Sequence, residues 1–231
     1  MKLAFVGYGK MGRMMDALAA GYGFEVVLRL DEFNNADGAG MTRENFAGVD
    51  AAIEFTAPEA AIGNIEALAG LGVNTVVGTT GWNRHLDRAR TAVEKAGTAL
   101  VYASNFSVGV NVFERVEAET ARLMASQQDY EAWAWEIHHS AKKDAPSGTL
   151  LTLVEAMRQA GFDRKIDQAA SRAGAHPGTH EIGFDSAADT ITLRHTARSR
   201  EGFARGALHA ARWIAGRKGF YEFREVLFGA E

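Results

Sequence analysis

The sequence predicts an α/β protein in two parts: a parallel sheet with helices on both sides, then a smaller mixed sheet with helices on one face. Three observations carry this. From the N-terminus to Ala103, short apolar runs alternate with stretches of helical spacing. A glycine-rich turn, Gly7-Tyr8-Gly9-Lys10-Met11-Gly12, stands between the first run and the first helix. After Asn105 the alternation gives way to a long helix, a strand with aromatic residues on one face, and a pair of strands near the C-terminus.

Taken in order, Lys2-Leu3-Ala4-Phe5-Val6 reads as a buried parallel strand and Met11–Ala20 as the helix that follows it. The G-x-G-x-x-G between them has the strand–turn–helix setting of a Rossmann-type dinucleotide site. Gly7 permits the sharp turn, Gly9 lets a pyrophosphate approach the backbone, and Gly12 lets helix and strand pack closely. Lys10 and Met11 complete the loop, and the helix start favours phosphate charge. Phe24–Leu30 is the second strand, ending at Asp31-Glu32. Asp31 lies about 20 residues past the glycines, where an acidic side chain accepts bonds from the adenosine ribose hydroxyls. Two carboxylates would repel a 2′-phosphate, so NADH is favoured; Lys10 could offset the repulsion and leave NADPH possible.

Ala51–Phe55, Asn74–Val77 and Ala99–Ala103 read as three further strands, with helices at Glu59–Leu71 and His85–Ala96 between them. In such sheets ligands lie beyond the carboxyl ends of the strands. Thr56, Gly78-Thr79-Thr80 and Ser104-Asn105-Phe106 occupy that rim and are the expected nicotinamide edge. A helix to Ser126 follows, then a strand from Tyr130 to His138, a helix from Gly148 to Ala160, and a polar segment, Asp163–Pro177, expected to be irregular. Thr179–Asp185 and Thr190–Ala197 read as paired strands, Phe203–Ala215 as the last helix, and Tyr221–Leu227 as a return to the first domain. The expected domains are 1–106 with 203–231 for the dinucleotide, and 107–202 for the substrate and for assembly. Trp133, Trp135 and Ile137 are expected to join Ile191, Leu193 and His195 in one apolar surface covered by another copy of the chain.

The run His138-His139-Ser140-Ala141-Lys142-Lys143-Asp144-Ala145-Pro146-Ser147-Gly148-Thr149 gathers imidazoles, cations and a helix start in a dozen residues. That chemistry suits a small anionic substrate that must be protonated. Composition narrows the classes around it. With a formal net charge of -4, no nucleic-acid partner is expected. With no cysteine, disulfides and thiolate catalysis are excluded. No apolar run approaches a membrane span, and a cytoplasmic enzyme is expected. A metal site from His138, His139 and His180 is not expected, because adjacent histidines cannot easily put both rings on one ion.

Taken together, the glycine turn, Gly78-Thr79-Thr80-Gly81, Asn105-Phe106-Ser107-Val108-Gly109-Val110-Asn111 and the His138–Thr149 run resemble the 4-hydroxy-tetrahydrodipicolinate (dihydrodipicolinate) reductases. The resemblance covers essentially the whole chain. It implies reduction of a cyclic dicarboxylate with a nicotinamide cofactor, on the diaminopimelate route to lysine, by a homotetramer. It implies His138 as general acid, Lys142 in catalysis and substrate binding, and His139, Gly148, Thr149 and Arg200 as substrate contacts. The short Leu30–Ala51 segment, and Ala57 where some members carry a basic residue, weigh further towards NADH. A two-domain amino-acid dehydrogenase, or a nucleotide-sensing protein without catalysis, would share the Gly7 turn but not the His138–Thr149 run.

Overall fold

Five strands and three helices begin the first sheet. In the computed structural model, which describes residues 1–229, they run β1 (Lys2–Val6), α1 (Lys10–Ala19), β2 (Glu25–Leu30), β3 (Ala51–Glu54), α2 (Pro58–Gly70), β4 (Asn74–Val77), α3 (Leu86–Ala96) and β5 (Ala99–Tyr102). The chain divides into two compact units, Met1–Ser107 with the segment from Phe203, and Val108–Gly202. The second unit holds α4 (Val108–Met124), β6 (Glu131–His138), α5 (Gly148–Gln159), β7 (Ile166–Arg172), β8 (Thr179–Asp185) and β9 (Thr190–Thr196). Then α6 (Glu201–Trp213), β10 (Gly219–Glu222) and α7 (Phe223–Phe228) follow.

The first sheet has the order β10-β5-β4-β3-β1-β2 with every pair parallel. Its strands are short apolar runs because both faces are covered. Leu3, Phe5, Ile53 and Val101 pack with α1, α6 and α7, while Val77 and Leu100 pack with α2 and α3. The C-terminal segment supplies β10 on the edge beside β5. Strand order reverses between β1 and β3, and such a switch point opens a crevice at the carboxyl edge.

The second sheet has the order β7-β6-β8-β9, with β6–β7 parallel and the other pairs antiparallel. Its core of Ala132, Ala134, Ile182 and Phe184 packs against α4 and α5 through Phe113, Leu150, Leu153 and Met157.

Two expectations are corrected here. Asp163–Pro177 is not irregular throughout: Ile166–Arg172 is a strand, paired to β6 along its length. Its alternation is weak because only Ile166 is buried and the next four residues are exposed at the sheet edge. The expected joint apolar surface also fails. Ala134 faces Ile182, which faces Leu193, and Phe184 faces Ile191. Ile191, Leu193 and His195 therefore share the helix-covered face, where His195 meets Phe113 with ring centroids 6.0 Å apart. Trp133, Trp135 and Ile137 lie on the opposite face, half-buried, beside Gly183 and Glu181. A Cβ at Gly183 would stand 2.0 Å from the Trp133 ring, so the indole lies directly over that glycine.

Candidate active site

The carboxyl edge of the first sheet holds a cavity of about 950 Å³, lined by Gly7, Tyr8, Gly9, Arg13, Asp31 and Thr56 among others. Gly7 has φ +101, and a Cβ there would lie 2.1 Å from the Phe55 carbonyl oxygen, so only glycine makes this turn. No atom lies within 4 Å of a Cβ placed on Gly9, which leaves the backbone open to a ligand. A Cβ on Gly12 would come 2.8 Å from the Gly7 carbonyl oxygen, the close helix–turn packing that the motif requires. Lys10 is exposed at the start of α1, and Met11 packs against the core. A pyrophosphate at this helix start and a ribose beside Asp31 fit the cradle that these residues leave.

Asp31 Oδ1 accepts from the backbone of Phe33 at 2.9 Å and Asn34 at 3.1 Å, which turns the loop after β2 over the cavity. Glu54, fully buried at the end of β3, ties the next two loops together. It accepts from the Thr56 hydroxyl and from Asn64 Nδ2 at 3.2 Å, while the Thr56 N–H donates to Thr79 Oγ1 at 2.7 Å. Burial pushes the Glu54 carboxyl upward against those bonds. Thr79 is consequently a buried strut, Gly78 is packed against the Phe55 ring, and Thr80 and Ser104 are exposed. Asn105 Oδ1 accepts from the Ser107 N–H at 2.9 Å. Phe106 is a core residue with its ring 4.9 Å from that of Phe223. Arg13 lines the cavity with Asp31 although the motif reading had passed over it; its place one helical residue beyond Gly12 was the available signal.

In the second unit a carboxylate organises the histidines. Glu136 and His138 are two apart on β6 and share the buried face. Register sets His180 opposite Glu136 on β8 and Arg172 opposite His138 on β7. Glu136, fully buried, accepts at Oε1 from Arg172 Nη2 at 2.8 Å and from the Ser147 N–H at 2.9 Å. Its Oε2 accepts from the Ser147 hydroxyl and lies 3.3 Å from His180 Nε2 and 3.6 Å from His138 Nδ1. Burial would raise the Glu136 carboxyl, but the bonds from Ser147 and Arg172 outweigh it and hold the group below the usual range. Burial lowers His138, with Glu136 opposing, and lowers His180 to about 4 with help from the neighbouring His138.

Glu136, His138 and His180 offer three ligand atoms within 4.8 Å of one another. Both Glu136 oxygens already accept hydrogen bonds, and a guanidinium on the same carboxylate opposes a dication. The cluster fits a hydrogen-bonded hub better than a metal centre. His139 is not in it; it follows the end of β6 at His138.

The rest of the run follows from this hub. Arg172 also donates to the Asp144 carbonyl, holding the loop after β6. Lys142 is bonded to both Asp144 carboxylate oxygens, at 2.8 and 2.7 Å. Ser147 caps α5, its oxygen accepting from Leu150 N at 3.2 Å. Gly148 and Thr149 thus occupy the first turn of a capped helix whose start is fixed by Glu136. Arg200 is exposed in the turn between β9 and α6. Glu136, Arg172 and Ser147 were missed as functional candidates. Strand alternation in Tyr130–His138 could have revealed Glu136, whereas Arg172 lay in the stretch expected to be irregular.

A glycine turn at a helix start on a doubly wound sheet, with a buried cluster of titratable groups on a second sheet, is the architecture of a pyridine-nucleotide-dependent oxidoreductase. The models for the N- and C-terminal parts of dihydrodipicolinate reductase match residues 1–106 and 109–227. The chain belongs to the dihydrodipicolinate reductase family. The 4-hydroxy-tetrahydrodipicolinate reductase of Christiangramia forsetii is 36% identical, over 98% of this chain and 98% of that protein. That of Thiobacillus denitrificans is 35% identical over 95% of each. A dipicolinate-bound dihydrodipicolinate reductase from Paenisporosarcina sp. TG-14 superposes with a TM-score of 0.82 at 19% identity, over 97% of this chain and 98% of that one, which shows a shared fold. No helix among the described residues is long and apolar enough to cross a membrane.

Proposed function

We propose that this chain reduces (2S,4S)-4-hydroxy-2,3,4,5-tetrahydrodipicolinate to tetrahydrodipicolinate in diaminopimelate and lysine biosynthesis, as a cytoplasmic enzyme. The observation that carries this reading is the His138–Thr149 run, built around one buried carboxylate and continuous with a family match over 109–227. The first unit holds the dinucleotide and the second holds the substrate. Bound nicotinamide supplies a hydride. The substrate loses its hydroxyl as water, and reduction of a ring carbon conjugated with the imine leaves negative charge on the adjacent carbon. His138 delivers a proton there as general acid. Lys142 exchanges Asp144 for a substrate carboxylate, and the backbone N–H groups at Gly148 and Thr149 receive the same group at the start of α5. His139 and Arg200 contact the substrate from the adjoining loops.

NADH is the favoured cofactor, held by Gly7, Gly9, Lys10, Met11, Gly12 and Asp31, with Thr56, Gly78, Thr80, Ser104 and Asn105 forming the nicotinamide edge and the buried Thr79 and Phe106 supporting it from behind. Asp31 and Glu32 in the cavity wall support this preference, and Arg13 beside them leaves NADPH usable. The face carrying Trp133, Trp135 and Ile137 supports a homo-oligomer, as a tetramer. The test is cofactor oxidation while a synthase generates the substrate in situ. Turnover with a higher kcat/KM for NADH is expected. No turnover with either cofactor overturns the assignment, and a strong NADPH preference overturns the argument from Asp31.

A further inference from the structure

We infer that Glu136 is the positioning residue of proton delivery: it orients the His138 ring and supplies the counter-charge for its protonated form. This rests on His138 being the proton donor of the proposed reaction. Nδ1 of His138 points inward, 3.6 Å from Glu136 Oε2, and has no hydrogen-bond partner among the described residues. The opposite edge lies against Gly178, φ +138, where a Cβ would stand 2.9 Å from Nε2. The ring is thus held between a carboxylate and a glycine backbone; Nδ1 is the buried nitrogen, which assigns Nε2, beside Gly178, to the substrate.

The charge balance around the ring gives Glu136 a specific task. Arg172 from β7, and Lys142 from the following loop, oppose a proton on His138, as does burial. Glu136 from the same strand and Asp144 from the loop favour it, Glu136 more strongly. His180 from β8 competes for the same carboxylate oxygen. Glu136 stays ionised because Ser147 and Arg172 bond it. When His138 is protonated, a small closure of the 3.6 Å gap makes an N–H···O bond to Oε2. The Nε2 proton then passes to the substrate carbon, leaving a neutral ring whose remaining proton is on Nδ1, facing Glu136. Water restores the lost proton before the next turnover. A charged hub two residues before the donor explains why the buried face of β6, alanine at 132 and 134, carries a glutamate at 136.

The test follows the His138 imidazole by NMR pH titration in the ligand-free protein, its signal assigned by its loss in His138→Asn, together with pH profiles of kcat and KM. In Glu136→Gln the His138 midpoint is expected to fall by about one pH unit or more, which is about a tenfold loss of the protonated ring at a fixed pH. kcat at neutral pH falls by about tenfold, with KM for the substrate changing by less than about threefold, and the kcat deficit narrows as pH drops. Glu136→Asp, which keeps the charge, recovers part of the shift. A merely structural role would lower thermal stability and leave the midpoint in place, and that result overturns the inference. If Glu136→Gln does not fold, His180→Gln frees Oε2 for His138 and is expected to raise the midpoint; an unmoved midpoint there overturns it equally. The titration needs no turnover, so it separates failure of this role from failure of the substrate assignment.

Discussion

Glu117 gives the sharpest stability test. It lies on the inward face of α4, fully buried, and neither carboxylate oxygen has a hydrogen-bond partner among the described residues. Burial, with the Glu114 charge one turn earlier, pushes its carboxyl from 4.5 up to about 8. The folded chain therefore keeps the proton while the unfolded chain loses it. A raised native pKa means stability is fully present below pH 4.5 and is lost as pH climbs to about 8. The slope is about 1.4 kcal/mol per pH unit, so the loss reaches about 3 kcal/mol at pH 7 and levels off at about 5 kcal/mol above pH 8. Glu117→Gln keeps the shape and removes the titration; a neutral amide and a neutral acid bear similar burial costs. The variant is expected to be under about 1 kcal/mol from wild type at pH 5 and about 3 kcal/mol more stable at pH 7. Urea unfolding at fixed protomer concentration across pH 5 to 8.5 reads this directly. A gap between the two proteins that stays constant with pH would refute the reasoning.

Other substitutions probe the sites separately. His138→Ala is expected to lower kcat by about 100-fold with a small change in KM, the signature of a proton donor rather than a binding group. Lys142→Ala should cut kcat/KM at least about tenfold more than Lys143→Ala, since Lys143 is exposed and no described bond holds it in the run; equal effects would defeat the assignment. Gly7→Ala forces a side chain into the Phe55 carbonyl at 2.1 Å, so the thermal shift produced by NADH should vanish even where the fold survives. Gly183→Val places a side chain where the Trp133 ring now lies. If that face is the assembly surface, light scattering should show smaller species; an unchanged mass would move the interface elsewhere.

Much of the first sheet could be read from the chain because its signals are local. An apolar run, a glycine turn and a helical stripe each lie within a dozen residues, and parallel strands buried on both faces need no choice of side. Asp31 lines the cavity for the same reason: it directly follows β2, which ends there. Phe106 was harder. It stands at the rim in sequence, yet its ring turns into the core against Phe223, far along the chain. The second sheet was less legible. β7 is an edge strand with one buried residue, and its pairing with β6 is made only after the α5 crossover.

The sequence by itself determined that a glycine turn links the first strand to the first helix and that a run of imidazoles and cations leads into a helix starting at Gly148. Local spacing and residue chemistry suffice for both. Only the tertiary structure decided which residues surround His138. Glu136, Arg172 and His180 come from three strands, and cross-strand register brings them together. A shift of one residue in that register would turn each of these side chains to the other face, and nothing local in the chain records it. The same register parted Trp133 and Trp135 from Ile191 and Leu193, although all four alternate correctly within their own strands.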